Sequence, residues 1–177
     1  MVSRDDTGDN GEHCEPKCVV CGDSVSENKI FCDKLSCRIT YETIIRPLEI
    51  MEDKFASEQN WDTFFRDFAN LPSPAQAYLL VEDDLPADIY FNALLLVPSH
   101  DLWGLLTGRT EFRRKFLEML SPRVAEAAVA EIEEMKSLVK DLRIDISSVV
   151  PQMQALISSL AETVLAQNDS SETVDDE

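Results

Sequence analysis

The chain has 177 residues, of which 34 are acidic and 16 are lysine or arginine, so its formal net charge is −18 at pH 7. A nucleic-acid-binding surface concentrates basic side chains, whereas here the acidic excess is spread along the whole chain. The apolar fraction of 44% supports a hydrophobic core, but no apolar run reaches the ~20 residues of a membrane span.

The N-terminal part combines a polar arm with a cluster of cysteines. Residues 1–12 are predicted to be disordered. Four of the five cysteines follow, spaced Cys-x2-Cys, ten residues, then Cys-x4-Cys. Two thiolates at the first spacing can hold one ion from a tight turn that Gly22 relieves, and two more complete the tetrahedral set that structural zinc prefers. The predicted zinc ligands are Cys18, Cys21, Cys32 and Cys37.

The segment between the cysteine pairs is predicted to form a short β-hairpin, with strands at residues 24–26 and 30–31 and a turn at 27–29. A helix is expected to begin between residues 33 and 36, which places Cys37 in its first turn. The positive end of the helix dipole would then favour the thiolate of Cys37. Three cations beside the ligands can offset the negative charge of a zinc tetrathiolate: Lys17, Lys34 and Arg38.

This order of Cys-x2-Cys turn, hairpin and helix-borne pair resembles treble-clef zinc fingers. Ile30-Phe31-Cys32 is most similar to the FCS and MYM-like group, in which Phe-Cys opens the second pair. The resemblance covers residues 18–37 only, and the second pair is spaced more widely than in that group. It implies a treble-clef module around one structural metal ion. Cys18-Val-Val-Cys-Gly-Asp23 is also similar to the opening of nuclear-receptor fingers, but the helix that follows is acidic.

Disulfide bonds and inert buried thiols are the alternatives to zinc ligation. An odd number of cysteines and no recognisable signal peptide disfavour disulfides, and inert thiols rarely occur in close pairs. His13 or Cys14 could replace one ligand, because both lie just upstream of Cys18. Four cysteines leave no open position for water, so we expect a structural site, in a protein of the cytoplasm or nucleus.

Beyond the cysteines, apolar residues recur at helical spacing and prolines punctuate successive helices. Pro47 is expected to kink or break the first of them. An aromatic face is predicted to lie in the core rather than in a peptide groove: Trp61, Phe64, Phe65 and Phe68. Residues 89–97 are apolar on nearly all sides and are predicted to form the central helix, with a buried strand as the alternative. Three residues are predicted to cap later helices: Ser73, Ser99 and Thr110.

The C-terminal helices carry apolar residues at successive a and d positions of a heptad repeat, which is typical of a coiled coil. These residues are Ala125, Ala128, Ile132, Met135, Val139, Leu142, Ile146, Val149, Met153, Leu156 and Leu160. A homo-oligomer is one outcome. Packing inside the chain's own bundle is the commoner one, and it is favoured because Val129 and Leu138 widen the stripe and Pro151 interrupts it.

The sequence therefore predicts a mainly α protein in which a small treble-clef-like zinc module with a β-hairpin is fused to a helical bundle. The expected divisions are a disordered arm (1–12), the zinc-binding module and its helix (13–58), the bundle with a candidate C-terminal coiled coil (59–167) and a disordered acidic tail (168–177).

Functional motifs are scarce. The chain contains no Walker loop, GxGxxG or HExxH motif, and Ser99, His100 and Asp101 are consecutive, so they cannot converge as a catalytic triad. We expect a non-enzymatic adaptor or assembly subunit with a protein partner, which would be basic if it complements the acidity. Direct nucleic-acid or membrane contact is not expected. The alternatives are a zinc-finger regulator within a nucleic-acid-handling complex, and an enzyme whose site is assembled from scattered residues.

Overall fold

The computed structural model describes residues 16–26 and 29–171, and within these ranges the chain is mainly helical and contains no strand. The elements are α1 (Leu35–Thr40), a π-helical segment (Tyr41–Ile45), α2 (Arg46–Glu58), α3 (Trp61–Ala69), α4 (Ser73–Glu82), α5 (Ala87–Leu94), α6 (Ser99–Gly108), α7 (Thr110–Glu118), α8 (Pro122–Asp141) and α9 (Ile146–Ser171). Of the helices in the described ranges, none combines the length and the apolar composition that crossing a membrane requires.

The chain divides into two compact units, Met1–Glu42 and Thr43–Glu177, here called the cysteine unit and the helical unit. The division after residue 58 that the sequence suggested stays a prediction. The arm predicted over residues 1–12 lies outside the described residues. At the other end, α9 continues to Ser171, into the segment that was predicted to be a disordered tail.

The predicted β-hairpin is not confirmed in the described part of the cysteine unit. One isolated antiparallel bridge joins Lys17 to Ser24, and the Val25 N–H donates to the Pro16 carbonyl at 2.9 Å. The chain after the first cysteine pair therefore pairs back across the Cys-x2-Cys turn. Residues 27 and 28, which formed most of the predicted hairpin turn, lie outside the described ranges.

Pro47 lies in the first turn of α2, directly after the π-helical segment Tyr41–Ile45. Proline has no N–H to donate, and its ring crowds the carbonyl four residues earlier, so the preceding turn cannot keep the α-helical hydrogen-bond pattern. The interruption expected at Pro47 therefore takes the form of a change of helix type.

Aromatic side chains dominate the core of the helical unit. The largest fully buried ones are Tyr90, Phe68, Phe91, Phe112 and Phe116. Phe64 and Phe68 of α3 are buried, which confirms that the aromatic face of α3 packs in the core. At the edge of this face the Trp61 ring lies 4.7 Å from that of Phe55, between ring centroids.

Helix α5 is central to the helical unit, because it packs against α3, α4 and α9. It buries nearly all of its length, at Ile89, Tyr90, Phe91, Ala93 and Leu94. The expected helix, rather than a strand, is thus confirmed. It ends at Leu94, however, and the turn that follows leaves Leu95 and Leu96 exposed.

The predicted serine and threonine caps are wrong by one residue. The N-cap positions of α4, α6 and α7 are Pro72, Pro98 and Arg109, and none of them makes a side-chain capping bond. Each helix begins at the residue that was expected to cap it. Proline fixes an extended backbone just before α4 and α6, which sets the start of these helices without a hydroxyl. A true cap occurs at Asn60, whose side chain accepts from the Asp62 and Thr63 N–H groups.

The heptad residues of the C-terminal region lie on two separate helices, because residues 142–145 are non-helical and Arg143 has a positive φ of 53°. Most of them are buried in the core of the helical unit, including Ile132 of α8 and Met153 of α9. Leu142 and Ile146, next to the break, are exposed. The apolar stripe is therefore buried within the helical unit itself, which was the alternative to a coiled coil. Self-association stays a prediction. Pro151 lies within α9, near its start.

Carboxylates gather where α2 and the end of α4 approach one another. Desolvation, and then the charge of Asp83, raises the pKa of Glu52. Desolvation, followed by Asp84 and Glu82, raises the pKa of Asp83. A cation lies beside this region, where Lys115 Nζ is 3.0 Å from Asp84 Oδ1. Ionised Asp83 therefore destabilises the helical unit.

Replacing Asp83 with asparagine should stabilise the helical unit at neutral pH. A carboxyl group whose pKa is raised on folding stabilises the native state while it is protonated, and this stability is lost as pH rises through the folded pKa. The advantage of Asp83→Asn should therefore shrink as pH falls and vanish below the unfolded value of 3.8. Thermal unfolding from pH 7 to pH 4 measures it. Glu126→Gln, at an exposed site of α8, is the control and should show no such trend.

Candidate metal centre

The four cysteines predicted as ligands converge on one point. The Sγ atoms of Cys18, Cys21, Cys32 and Cys37 all lie within 4.8 Å of one another, and those of Cys21 and Cys32 are 3.7 Å apart. In a tetrahedral tetrathiolate with Zn–S bonds of about 2.3 Å, the sulfur atoms are separated by about 3.8 Å. The cluster therefore has the size that a tetrahedral divalent ion requires, and no disulfide joins these cysteines.

The first pair lies on a tight turn. The Gly22 N–H donates to the Cys18 carbonyl at 2.8 Å, and the Cys18 N–H donates to the Asp23 carbonyl at 2.7 Å. Gly22 has a φ of 75°, a left-handed conformation that glycine adopts without steric cost. These two bonds fold the backbone back on itself, so that the side chains of Cys18 and Cys21 reach the same centre.

The second pair is set by the start of α1. Cys32 precedes the helix, and Cys37 is its third residue, as the sequence predicted. The Val19 N–H donates to the Ile30 carbonyl at 3.0 Å, which joins the segment before Cys32 to the turn that carries the first pair. Residues far apart in sequence are thereby held side by side by the main chain.

The described part of the cysteine unit lacks a hydrophobic core of its own. Among its described residues, the buried ones are Cys18 and Cys37, at 2% and 3% exposure. The aromatic contact between Phe31 and Tyr41, with centroids 5.0 Å apart, is only partly buried. A unit this small needs a crosslink or a metal to fold, and its own buried residues are metal-ligand types.

The thiols of the cluster ionise unequally. Burial disfavours the thiolate of Cys18, but backbone N–H groups, led by that of Cys21, outweigh this and lower its pKa to about 6. The Asp23 N–H favours the thiolate of Cys21, yet burial and the neighbouring thiols raise its pKa to about 12. Burial, and then Cys32, raises the pKa of Cys37. The pKa of Cys37 is therefore raised rather than lowered, against the thiolate preference expected from its place at the start of α1.

A salt bridge lies against the cluster. Lys34 Nζ is 2.6 Å from Asp23 Oδ2 and joins the two segments that carry the cysteine pairs. The pKa of Lys34 is raised by Asp23 first and by the sulfur of Cys21 next. Lys34 was expected to offset the thiolate charge, whereas its ion pair with Asp23 was not foreseen. The offset expected from Lys17 and Arg38 stays a prediction.

The remaining candidates of the sequence do not join this site. His13 and Cys14 lie outside the described residues. His100 and Asp101 lie in the first turn of α6, and Asp101 accepts a hydrogen bond from the Ser73 hydroxyl at 2.7 Å. Asp101 thus joins the start of α6 to the start of α4.

Comparisons with known proteins add no relative: no family model, no curated protein and no solved structure matches this chain.

Substitution of any one of the four clustered cysteines by serine should abolish stoichiometric metal binding. The tetrahedral set then lacks one thiolate, and the described residues of the cysteine unit form no core that could hold the other three in place. Elemental analysis of protein purified without added metal should find about one zinc per chain in the wild type and far less in Cys18→Ser.

His13→Ala and Cys14→Ser are the matched controls for this experiment, because they remove the nearest upstream candidates and should keep the metal. A loss of metal in Cys14→Ser equal to that in Cys18→Ser would contradict the ligand set. Iron in place of zinc would show that the tetrathiolate serves another metal.

Proposed function

We propose that this chain is a zinc-containing protein-interaction subunit, an adaptor or assembly component and not an enzyme. One Zn²⁺ would be held by Cys18, Cys21, Cys32 and Cys37, in a treble-clef-like module of FCS or MYM-like type. Tetrahedral sulfur sets select zinc or iron, and zinc fits a structural role because it undergoes no redox change. When bound, the ion would supply stability in place of a hydrophobic core.

The observation that carries the proposal is the apolar surface of the cysteine unit. Its described residues bury two cysteines, yet four aliphatic side chains are more than half exposed: Val19 at 51%, Ile30 at 53%, Leu35 at 70% and Ile39 at 52%. They occur as two pairs. Val19 and Ile30 are joined through their main chains, and Leu35 and Ile39 lie one turn apart on α1. Exposed aliphatic pairs on so small a unit support contact with a partner protein, which would bury them.

The arrangement separates stability from recognition. The metal would fix the main chain from the inside, so the aliphatic residues need not form a core, and their exposed side chains can contact a partner. The tetrathiolate leaves no coordination position for a substrate, which supports a structural site over a catalytic one. The acidic chain supports a protein partner over a nucleic acid.

Placing charge on the α1 pair should abolish partner binding and leave the metal site intact. Leu35→Glu with Ile39→Glu puts two carboxylates where a partner would bury apolar surface, at exposed sites where the fold tolerates them. Quantitative affinity purification with mass spectrometry should show partners enriched by the wild type and depleted about tenfold or more, equivalent to 1.4 kcal/mol, by the variant. Zinc content should be unchanged in both.

Ser36→Glu with Ser26→Glu provides the control, since it adds the same charge at exposed sites outside the two pairs. It should retain the partners. Equal depletion by both variants would attribute the loss to charge alone and would contradict the proposed surface. A wild type that enriches nothing over a mock purification would contradict the adaptor function, and recovery of a nucleic acid without protein would support the regulator instead.

A further inference from the structure

An open groove of about 870 Å³ lies on the helical unit between α4 and α6. Both helices pack on α7, and the buried ring of Phe112 from α7 contributes to its floor. The starts of the two helices are joined by the hydrogen bond from Ser73 Oγ to Asp101 Oδ2 at 2.7 Å. The groove therefore follows α4 along its whole length, from Ser73 to Glu82, which is about 15 Å or three helical turns.

Two glycines keep the groove open. Gly104 and Gly108 lie one turn apart on α6, on the wall that faces the groove, and a Cβ added at either would meet nothing within 4 Å. Neither glycine has a positive φ, and no neighbouring atom lies so close that a side chain could not fit at these positions. Glycine within a helix destabilises it relative to alanine. The two glycines therefore lower the stability of α6 and at the same time leave the groove open.

The inner surface of the groove is apolar. Ala77 and Val81 line it from α4, Leu105 lines it from α6, and Tyr78 stands beside them with 49% of its surface exposed. An exposed tyrosine next to a row of small and aliphatic side chains gives a flat contact area with a polar tip. Such a surface suits a partner's apolar stripe better than a polar ligand.

The ends of the groove are acidic. Asp101 lies at one end, and Glu82 lies at the other, close to Asp83. Glu111 also lines the groove, and Arg109 is the single arginine or lysine among the lining residues. The raised pKa of Asp83, caused by desolvation and by Asp84 and Glu82, reflects the crowding of negative charge at that end.

We propose that this groove binds a short amphipathic helix of a partner protein that carries lysine or arginine at both ends of its apolar stripe. The groove is lined by helices whose main-chain groups are bonded internally, so an extended peptide would find no strand edge to pair with. A helix satisfies its own main chain and offers apolar side chains about every turn. Its basic residues would face Asp101, Glu82 and Glu111.

The acidity disfavours the chain's own terminal segments, and a second copy of the chain, as occupants. Residues 168–177 carry acidic side chains and no base, and acids outnumber bases in residues 1–15. A second copy would bring a further net charge of −18 to an acidic groove. The groove lies wholly in the helical unit, so its test can fail without any change in metal content or in the binding surface of the cysteine unit.

The experiment uses the full chain and a fluorescein-labelled peptide of about 14 leucine and lysine residues, four turns of an amphipathic helix. Fluorescence anisotropy at about 0.15 M salt should show saturable binding. A peptide of the same pattern with glutamate in place of lysine should not bind.

Two variants of the groove locate the site. Gly104→Leu with Gly108→Leu fills the open space and should weaken binding of the lysine peptide about tenfold or more, while thermal unfolding shows a fold at least as stable. Ala127→Leu, at an exposed site of α8, adds a similar side chain elsewhere and should leave binding unchanged.

Glu82→Lys with Glu111→Lys, which reverses the charge of two groove residues, should weaken binding as strongly. Glu126→Lys with Glu134→Lys, on exposed positions of α8, makes the same change in net charge and should have a small effect.

Three results would overturn the proposal. The first is no binding of the lysine peptide. The second is an equal loss in the groove and α8 charge variants, which would assign binding to the overall acidity. The third is unchanged binding in the doubly leucine-substituted variant at full stability, which would place the peptide outside the groove.

Discussion

Four sulfur atoms held within 4.8 Å of one another form the constraint on which the cysteine unit depends. Thiolates at this distance repel strongly, so the set persists only if most of its members keep their protons or a cation lies between them. A divalent ion would supply that cation and hold the four thiolates around itself, and the negative charge that remains would lie beside the ion pair of Lys34 with Asp23.

The two units reach stability by different physical means. The helical unit buries a contiguous set of aromatic and aliphatic side chains around α5, and prolines precede the starts of α4 and α6. The described part of the cysteine unit buries Cys18 and Cys37 and exposes four aliphatic side chains. Stability comes from packing in the helical unit and would come from metal ligands in the cysteine unit. Each unit can therefore expose an apolar surface of its own. These are the aliphatic pairs of the cysteine unit and the groove between α4 and α6.

The cysteine cluster could be predicted because its information is local. Two close pairs of one residue type with a glycine after the first pair constrain the chain within twenty residues, Cys18–Cys37. The aromatic face of α3 and the all-round burial of α5 could be predicted for the same reason, since helical periodicity is read within one element. The a and d stripe of α8 and α9 was also correct as a buried stripe, but periodicity does not say which surface covers it.

Other features depend on contacts between distant segments. The bridge between Lys17 and Ser24 pairs the chain across the turn at Gly22, and the expected hairpin is not confirmed in the described residues. The serine caps failed because Pro72 and Pro98 already fix the backbone. The groove could not be predicted from the sequence, because Gly104 and Gly108 line it only together with residues of α4, which are distant in the chain.

The central claim is that all four cysteines bind one metal ion. X-ray absorption at the zinc edge of protein purified without added metal tests it most directly. The account predicts a single shell of about four sulfur scatterers at about 2.3 Å. A shell that contains nitrogen or oxygen neighbours, or fewer sulfurs, would contradict it, because it would mean that a histidine or water completes the site in place of one cysteine.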